Sequence, residues 1–191
     1  MTYKWTLKKE TCFIAFYYVL LYNVRRLVIR MYKIEVAREG ELEDFHNIII
    51  SRCKWLEEKK VNQWKVTSYP IKYDINYFRK HLNKLYIIKD DKEVLGGFLL
   101  KEADEKYWSD SSLVDAYYIH HFATKLNTNG LGKKLILFAI NKAKEDNKEY
   151  LRLDCVAHNK KLNEYYQELG FKYSGVIQIK NWSENLWQIK L

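Results

Sequence analysis

Residues 116–144, AYYIHHFATKLNTNGLGKKLILFAINKAK, change their hydrophobic period midway, and that change decides the fold. Ala116–Thr124 is an apolar and aromatic run rich in strand formers. A polar segment, Lys125–Asn129, leads into Gly130-Leu131-Gly132. Beyond the second glycine, Leu135, Ile136, Ala139, Ile140 and Ala143 share one helical stripe, with Lys133, Lys134, Lys142 and Lys144 largely off it. The stretch therefore reads as strand, glycine turn, helix. The first turn of such a helix has unpaired backbone N–H groups at the positive end of the macrodipole. Glycines, lacking a Cβ, let a bulky anion approach that backbone closely. A phosphate or pyrophosphate at Asn129–Lys133 is the expected guest. The P-loop is excluded, because Lys134 stands where a Ser or Thr would hold magnesium. A dinucleotide fingerprint is excluded too, since its three-glycine spacing and following acidic residue are missing.

Asn127-x-x-Gly130-x-Gly132 instead resembles the acetyl-CoA motif of the GNAT N-acetyltransferases, usually Gln/Arg-x-x-Gly-x-Gly/Ala; Asn127 departs at the first position. A second match comes later in the chain, in the right order. Residues 149–157, EYLRLDCVA, read as a buried strand, and Asn159, Tyr166, Gly170 and Phe171 then keep the family's spacing of Asn, Tyr and Gly-Phe. The resemblance covers roughly residues 33–191. It implies an α/β GNAT fold: a central mixed, mostly antiparallel sheet of about seven strands, flanked by about four helices, with splayed central strands. In that family the pantetheine arm of acetyl-CoA fills the gap between the splayed strands. By analogy, the backbone of Phe122, Ala123 and Thr124 would pair with the arm, and Asn127, Asn129, Gly130, Leu131, Gly132 and Lys133 would hold the pyrophosphate. Acetyl-CoA is then the cosubstrate, and no metal is expected.

The remaining elements agree with that order. Lys33–Arg38 alternates like a first strand, and Glu41–Lys59 places Leu42, Phe45, Ile49, Cys53 and Leu56 on one helical face. Residues 61–73 have no clear period and contain the one proline, which predicts a loop before a second helix at about 74–82. Strands are expected at 84–89 and 93–101 around the turn Lys89–Lys92, and again at 172–179 and 186–191. The predicted order is β-α-α-β-β-β-α-β-α-β-β.

The composition, 48% hydrophobic with six Trp and sixteen Tyr in 191 residues, suits one domain with a substantial core. The net charge of +9 invites a nucleic-acid partner, but residues 1–33 hold seven basic side chains and one acidic one, leaving only +3 for the other 158 residues. That is an ordinary solvated surface, and no nucleic-acid partner is expected. Cys12, Cys53 and Cys155 are odd in number and lack metal spacing, as expected of reduced thiols in a cytoplasmic protein. Residues 1–32 form a separate basic and apolar extension whose eleven-residue apolar run, Cys12–Tyr22, falls short of the roughly 20 residues a spanning helix needs. Met31 immediately precedes the recognisable domain, residues 33–191, and is the expected natural start, with residues 1–30 an upstream extension. A membrane-tethered interaction protein built on those residues is the less favoured reading. A monomer or homodimer is expected.

Acetyl transfer to an amine requires a polarised thioester carbonyl, removal of an amine proton, and protonation of the departing thiolate. The resemblance assigns Tyr166 to the thiolate. Asn159 either caps the helix that carries Tyr166 or contacts the pantetheine amide. For the base, the strand 116–124 offers His120 first, then His121 and Tyr118, with Asp115 just before it. A histidine titrates near neutral pH, and strand alternation would put His120 on the face opposite His121. His46, His81 and His158 are scattered without metal-ligand spacing. By analogy, the acceptor would sit under residues 60–72 and 180–185, where Trp64, Tyr69 and Trp182 can wall it. Glu57, Glu58, Asp104 and Glu105 can attract a cation there. The expected activity is acetyl transfer from acetyl-CoA to a primary amine of a small molecule or peptide, by direct attack in a ternary complex. The alternative is a non-catalytic acyl-CoA-binding or sensing domain.

Overall fold

The computed structural model describes residues 31–179 and 181–191; the expectations for residues 1–30 lie outside the described residues. Seven strands form one sheet: β1 Lys33–Val36, β2 Leu85–Lys89, β3 Val94–Lys101, β4 Ala116–Thr124, β5 Tyr150–Val156, β6 Lys172–Ile179 and β7 Trp182–Lys190. Their spatial order is β1-β2-β3-β4-β5-β7-β6. Only β4 and β5 pair in parallel; the other neighbours are antiparallel. Five α-helices lie among the described residues: α1 Leu42–Glu58, α2 Tyr69–Lys72, α3 Ile75–Lys80, α4 Leu131–Glu145 and α5 Lys160–Glu168. None of the described helices is long and apolar enough to cross a membrane.

The helices form where the apolar period asks for them. α1 buries Leu42, Phe45, Ile48, Ile49, Cys53 and Leu56, and α4 buries Leu131, Leu135, Ile136, Ala139 and Ala143. α2 is a correction, since residues 61–73 were expected to be a loop throughout. Pro70 occupies its first turn, where a missing N–H costs nothing. Asp74 caps α3 by accepting from the Tyr77 N–H at 2.8 Å.

Alternation along the strands separates two cores. Ile88 joins the cluster under α4 and α5, with Leu151, Leu153 and Phe171, whereas its neighbour Ile87 joins Phe45, Ile49 and Phe78 under α1 and α3. Each fully buried Phe or Ile contributes on the order of 2–3 kcal/mol relative to exposure. A smaller cluster, Trp108, Ala116 and Tyr118, encloses Arg152.

Two irregularities interrupt the centre of the sheet. The pairing of β4 with β5 runs from Ala116↔Tyr150 to Ile119↔Leu153 and stops there, although both strands continue. The central strands are splayed, as expected. On the other edge of β4, Gly97 faces Ala123 and Leu99 faces His120, so Phe98 alone spans His121 and Phe122. This is a β-bulge, and His121 takes it up with a left-handed φ of 53°. Simple alternation therefore fails at this point. His120 and His121 do not lie on opposite faces; both rings line one cavity, their centroids 6.2 Å apart.

Candidate active site

Where β4 and β5 part, a cavity of about 1660 Å³ opens. Its walls come from the diverging strand ends (Ile119–Thr124 and Leu153–Val156), from α1 and the segment after it, from α5, and from residues around Asp104 and Glu184. Beyond Ile119, the β5-facing edge of β4 has no strand partner among the described residues. Phe122, Ala123 and Thr124 lie along that edge, where an extended ligand can complete the hydrogen bonding of the sheet.

Asn127 and Asn129–Lys133 stand outside the cavity lining, on the turn after β4. The N–H groups of Asn129, Gly130, Leu131, Gly132 and Lys133 have no partner among the described residues; the first backbone bond of α4 is Lys134 N–H to the Gly130 carbonyl, 3.2 Å. Gly130 caps the helix with φ 77°, and a Cβ there would meet nothing within 4 Å. Open space over free amides is what a pyrophosphate needs. Gly132 has a different reason to be glycine. A Cβ there would lie 2.7 Å from the Tyr165 hydroxyl, and Tyr165 lines the cavity. Tyr165 thereby joins α5 to the start of α4.

Tyr166 faces the cavity, 5% exposed, with Phe171 edge-on at 5.8 Å. Its hydroxyl has no hydrogen-bond partner among the described residues, and burial holds its pKa well above the usual phenol value. The helix that carries it is fastened by two asparagines. Asn159 caps α5, accepting from the Leu162 N–H at 3.2 Å, and it also lines the cavity. Asn163 donates to the Val156, Ala157 and Asn159 carbonyls, while its Oδ1 accepts from Cys155, Asn185 and Trp187. One amide thereby ties α5 to β5 and β7.

His120 Nε2 lies 3.3 Å from Asp104 Oδ2, and both atoms are buried without a hydrogen bond of good geometry. With Asp154, they place three potential ligand atoms within 4.8 Å of one another. Burial, then the Glu184 and Asp104 carboxylates, push Asp154 well above the usual carboxylate range; burial also raises Glu184. This grouping was not among the sequence expectations. Spacing in the sequence missed it because the group is assembled across β3–β4, β4 and β5. One local signal existed: Arg152 and Asp154 are charged at i, i+2 in an otherwise apolar strand, so both lie on the side away from Leu151 and Leu153.

The other base candidates are occupied elsewhere. Tyr118 is 1% exposed and accepts from Arg152, which is itself held by Asp110 at 2.9 and 3.0 Å. Asp115 pairs with Lys148 at 2.6 Å. His121 is wedged between two phenols, with the Tyr69 hydroxyl 2.7 Å from Nδ1 and the Tyr77 hydroxyl 3.2 Å from Nε2; burial lowers its pKa well below the ordinary value. Trp64, Tyr69 and Trp182 line the cavity, Trp64 stacking on Tyr69 at 4.5 Å.

The comparisons with known proteins agree with this geometry. The sequence pattern of the acetyltransferase (GNAT) family matches residues 49–171. The chain is 26% identical over 144 residues to the uncharacterized N-acetyltransferase YesJ of Bacillus subtilis (strain 168), spanning 71% of this chain and 78% of that protein. It shares its fold with a GNAT-family acetyltransferase of Listeria monocytogenes, at TM-score 0.70 and 22% identity over 84% of this chain and 95% of the other. The PaiA N-acetyltransferase of Thermoplasma acidophilum, solved with coenzyme A, superposes at TM-score 0.67 and 17% identity over 84% of this chain and 99% of its own. With the family pattern extending over most of the splayed sheet and its helices, the chain belongs to the acetyltransferase (GNAT) family.

Proposed function

We propose that this protein transfers the acetyl group of acetyl-CoA to a primary amine of a small molecule or peptide, by direct attack in a ternary complex. The observation that carries the reading is the parting of β4 from β5 after Ile119 and Leu153, which brings Tyr166 and His120 to one cavity. Phe122, Ala123, Thr124 and Asn159 would hold the pantetheine arm, and the amides of Asn129–Lys133, with the turn at Asn127, the pyrophosphate. The free N–H groups and the open space over Gly130 fit that guest. Acetyl-CoA supplies the thioester that the amine attacks.

An alkylamine arrives mostly protonated at neutral pH. Its ammonium offers three tetrahedral N–H donors, so acceptors at about 2.8 Å lie roughly 4.6 Å apart. The Asp104, His120 and Asp154 atoms lie within 4.8 Å of one another, with His120 Nε2 and Asp104 Oδ2 3.3 Å apart, so one ammonium can reach this group of acceptors. His120 Nε2, 3.3 Å from Asp104 Oδ2, takes the proton. Tyr166 donates its hydroxyl proton to the departing thiolate and regains one from the acylated nitrogen, which must lose a second proton; burial keeps the phenol in the protonated form a donor needs.

The test is an acetyl-CoA titration by calorimetry, followed by thiol release across a panel of primary amines. Micromolar affinity with amine-dependent thiol release is expected. Affinity without turnover on any amine would select the non-catalytic acyl-CoA-binding reading, and no affinity in a folded protein would reject both.

A further inference from the structure

Four arginines lie among the described residues, and three of them meet a carboxylate: Arg38 with Glu35, Arg79 with Glu39 and Arg152 with Asp110. Arg52 does not. It projects from α1 into the cavity wall, where Nη2 donates to the Thr124 carbonyl at 2.5 Å and lies 3.4 Å from Oγ1. Its guanidinium stands over the Trp55 ring at 5.2 Å. Nε and Nη1 have no acceptor among the described residues. Burial destabilises this charge, lowering its pKa, and no carboxylate among the described residues pairs with it. A half-buried guanidinium with part of its donor fork unused is built for an oxyanion, which it can grip through two parallel N–H bonds.

Its position says which end of the cavity that anion occupies. Thr124 is the last residue of β4, four residues beyond His120, and the chain runs from it directly to the free amides at the start of α4. The carboxylates Asp104 and Asp154 gather instead around His120. We propose that Arg52 is a phosphate ligand for acyl-CoA, gripping an oxyanion of the cosubstrate at the Thr124 end of the cavity. This rests on the reading of the cavity as an acyl-CoA site. A carboxylate on the acceptor could satisfy the same fork, so the experiment separates the two sources.

The full chain is titrated with CoA and with pantetheine, which lacks every phosphate, using tryptophan fluorescence; Trp55 lies directly under the guanidinium. Arg52→Gln should weaken CoA binding about tenfold to a hundredfold while pantetheine binds it and the wild type alike. Arg52→Lys, which keeps the charge but loses the fork, should fall between, and it covers the case in which the glutamine variant fails to fold. Equal CoA affinity in wild type and variants would overturn the proposal. An equal loss for CoA and pantetheine would overturn it too, by showing that Arg52 only braces Thr124. So would an unchanged CoA affinity with a raised acceptor KM, which would assign the anion to the acceptor. If the wild type bound neither CoA nor pantetheine, the acyl-CoA reading itself would fail, and this proposal with it.

Discussion

Tyr166 sits where a proton donor is useful and nowhere else: buried, facing the cavity, its hydroxyl without a protein partner among the described residues. Tyr166→Phe keeps the ring against Phe171 and removes only the hydroxyl, so folding should be unaffected. If the phenol protonates the thiolate, kcat should fall roughly 10²–10⁴-fold with little change in the KM for acetyl-CoA. An unchanged kcat, measured by steady-state thiol release, would remove Tyr166 from the chemistry. At this scale the sequence was legible where the contacts are local. Asn159 and Tyr166 lie seven residues apart on and before one helix, and the N-cap bond to Leu162 is a consequence of that spacing. Asp104, His120 and Asp154 were not legible as a group, since only the register of the sheet and the loop after β3 bring them together. Arg52 did leave a local signal: it lies on the apolar stripe of α1, three residues after Ile49 and four before Leu56, where a lone charge is out of place.

Among the elements, the join between α4 and α5 rests on one close approach. The Tyr165 hydroxyl fills the place where a side chain at residue 132 would begin, 2.7 Å from an ideal Cβ, while its Cζ would be 3.7 Å away. Gly132→Ala should therefore push Tyr165 aside and destabilise the protein by about 1–3 kcal/mol. Tyr165→Phe removes the clashing oxygen and leaves ordinary contacts, so the double variant should recover most of that loss. Urea unfolding of the two single variants and the double one measures the coupling. Additive losses would mean that Tyr165 is not what constrains Gly132. The glycine turn and both long helices were readable from period alone, because α1 and α4 each bury a regular stripe. The bulge in β4 was not. A run such as Ile119–Ala123 carries no glycine to mark the extra residue, and the left-handed φ falls on His121. What sustains it is tertiary: the Tyr69 and Tyr77 hydroxyls hold the two ring nitrogens, and Phe78 packs edge-on at 5.4 Å.

For the molecule as a whole, the site is a stability liability with a definite pH dependence. Asp154 faces the Glu184 and Asp104 carboxylates with Lys106 nearby, and its folded pKa is raised well above 3.8. Between 3.8 and that raised value the folded state holds a proton that the unfolded chain releases, so stability falls as pH rises through this window. His121, facing His120, Lys101, His81 and Lys72, acts in the opposite direction. Its folded pKa is lowered, so below about 6.5 the unfolded chain binds a proton that the folded state refuses, and stability falls as pH drops. Asp154→Asn should therefore raise Tm at pH 8, each 1 kcal/mol gained being worth about 2–4 °C in a chain of this size. The gain should shrink as pH is lowered toward about 4, where the wild-type carboxyl is protonated in the folded state and about half so in the unfolded one. His121→Asn, whose side chain tolerates the left-handed φ, should flatten the loss of stability between about pH 7 and 5. Thermal melts of the three proteins across pH 4–8 test both signs at once. A Tm advantage of Asp154→Asn that stayed constant over that range would mean that Asp154 does not titrate with folding, and that the cavity leaves it solvated rather than poised for an incoming cation.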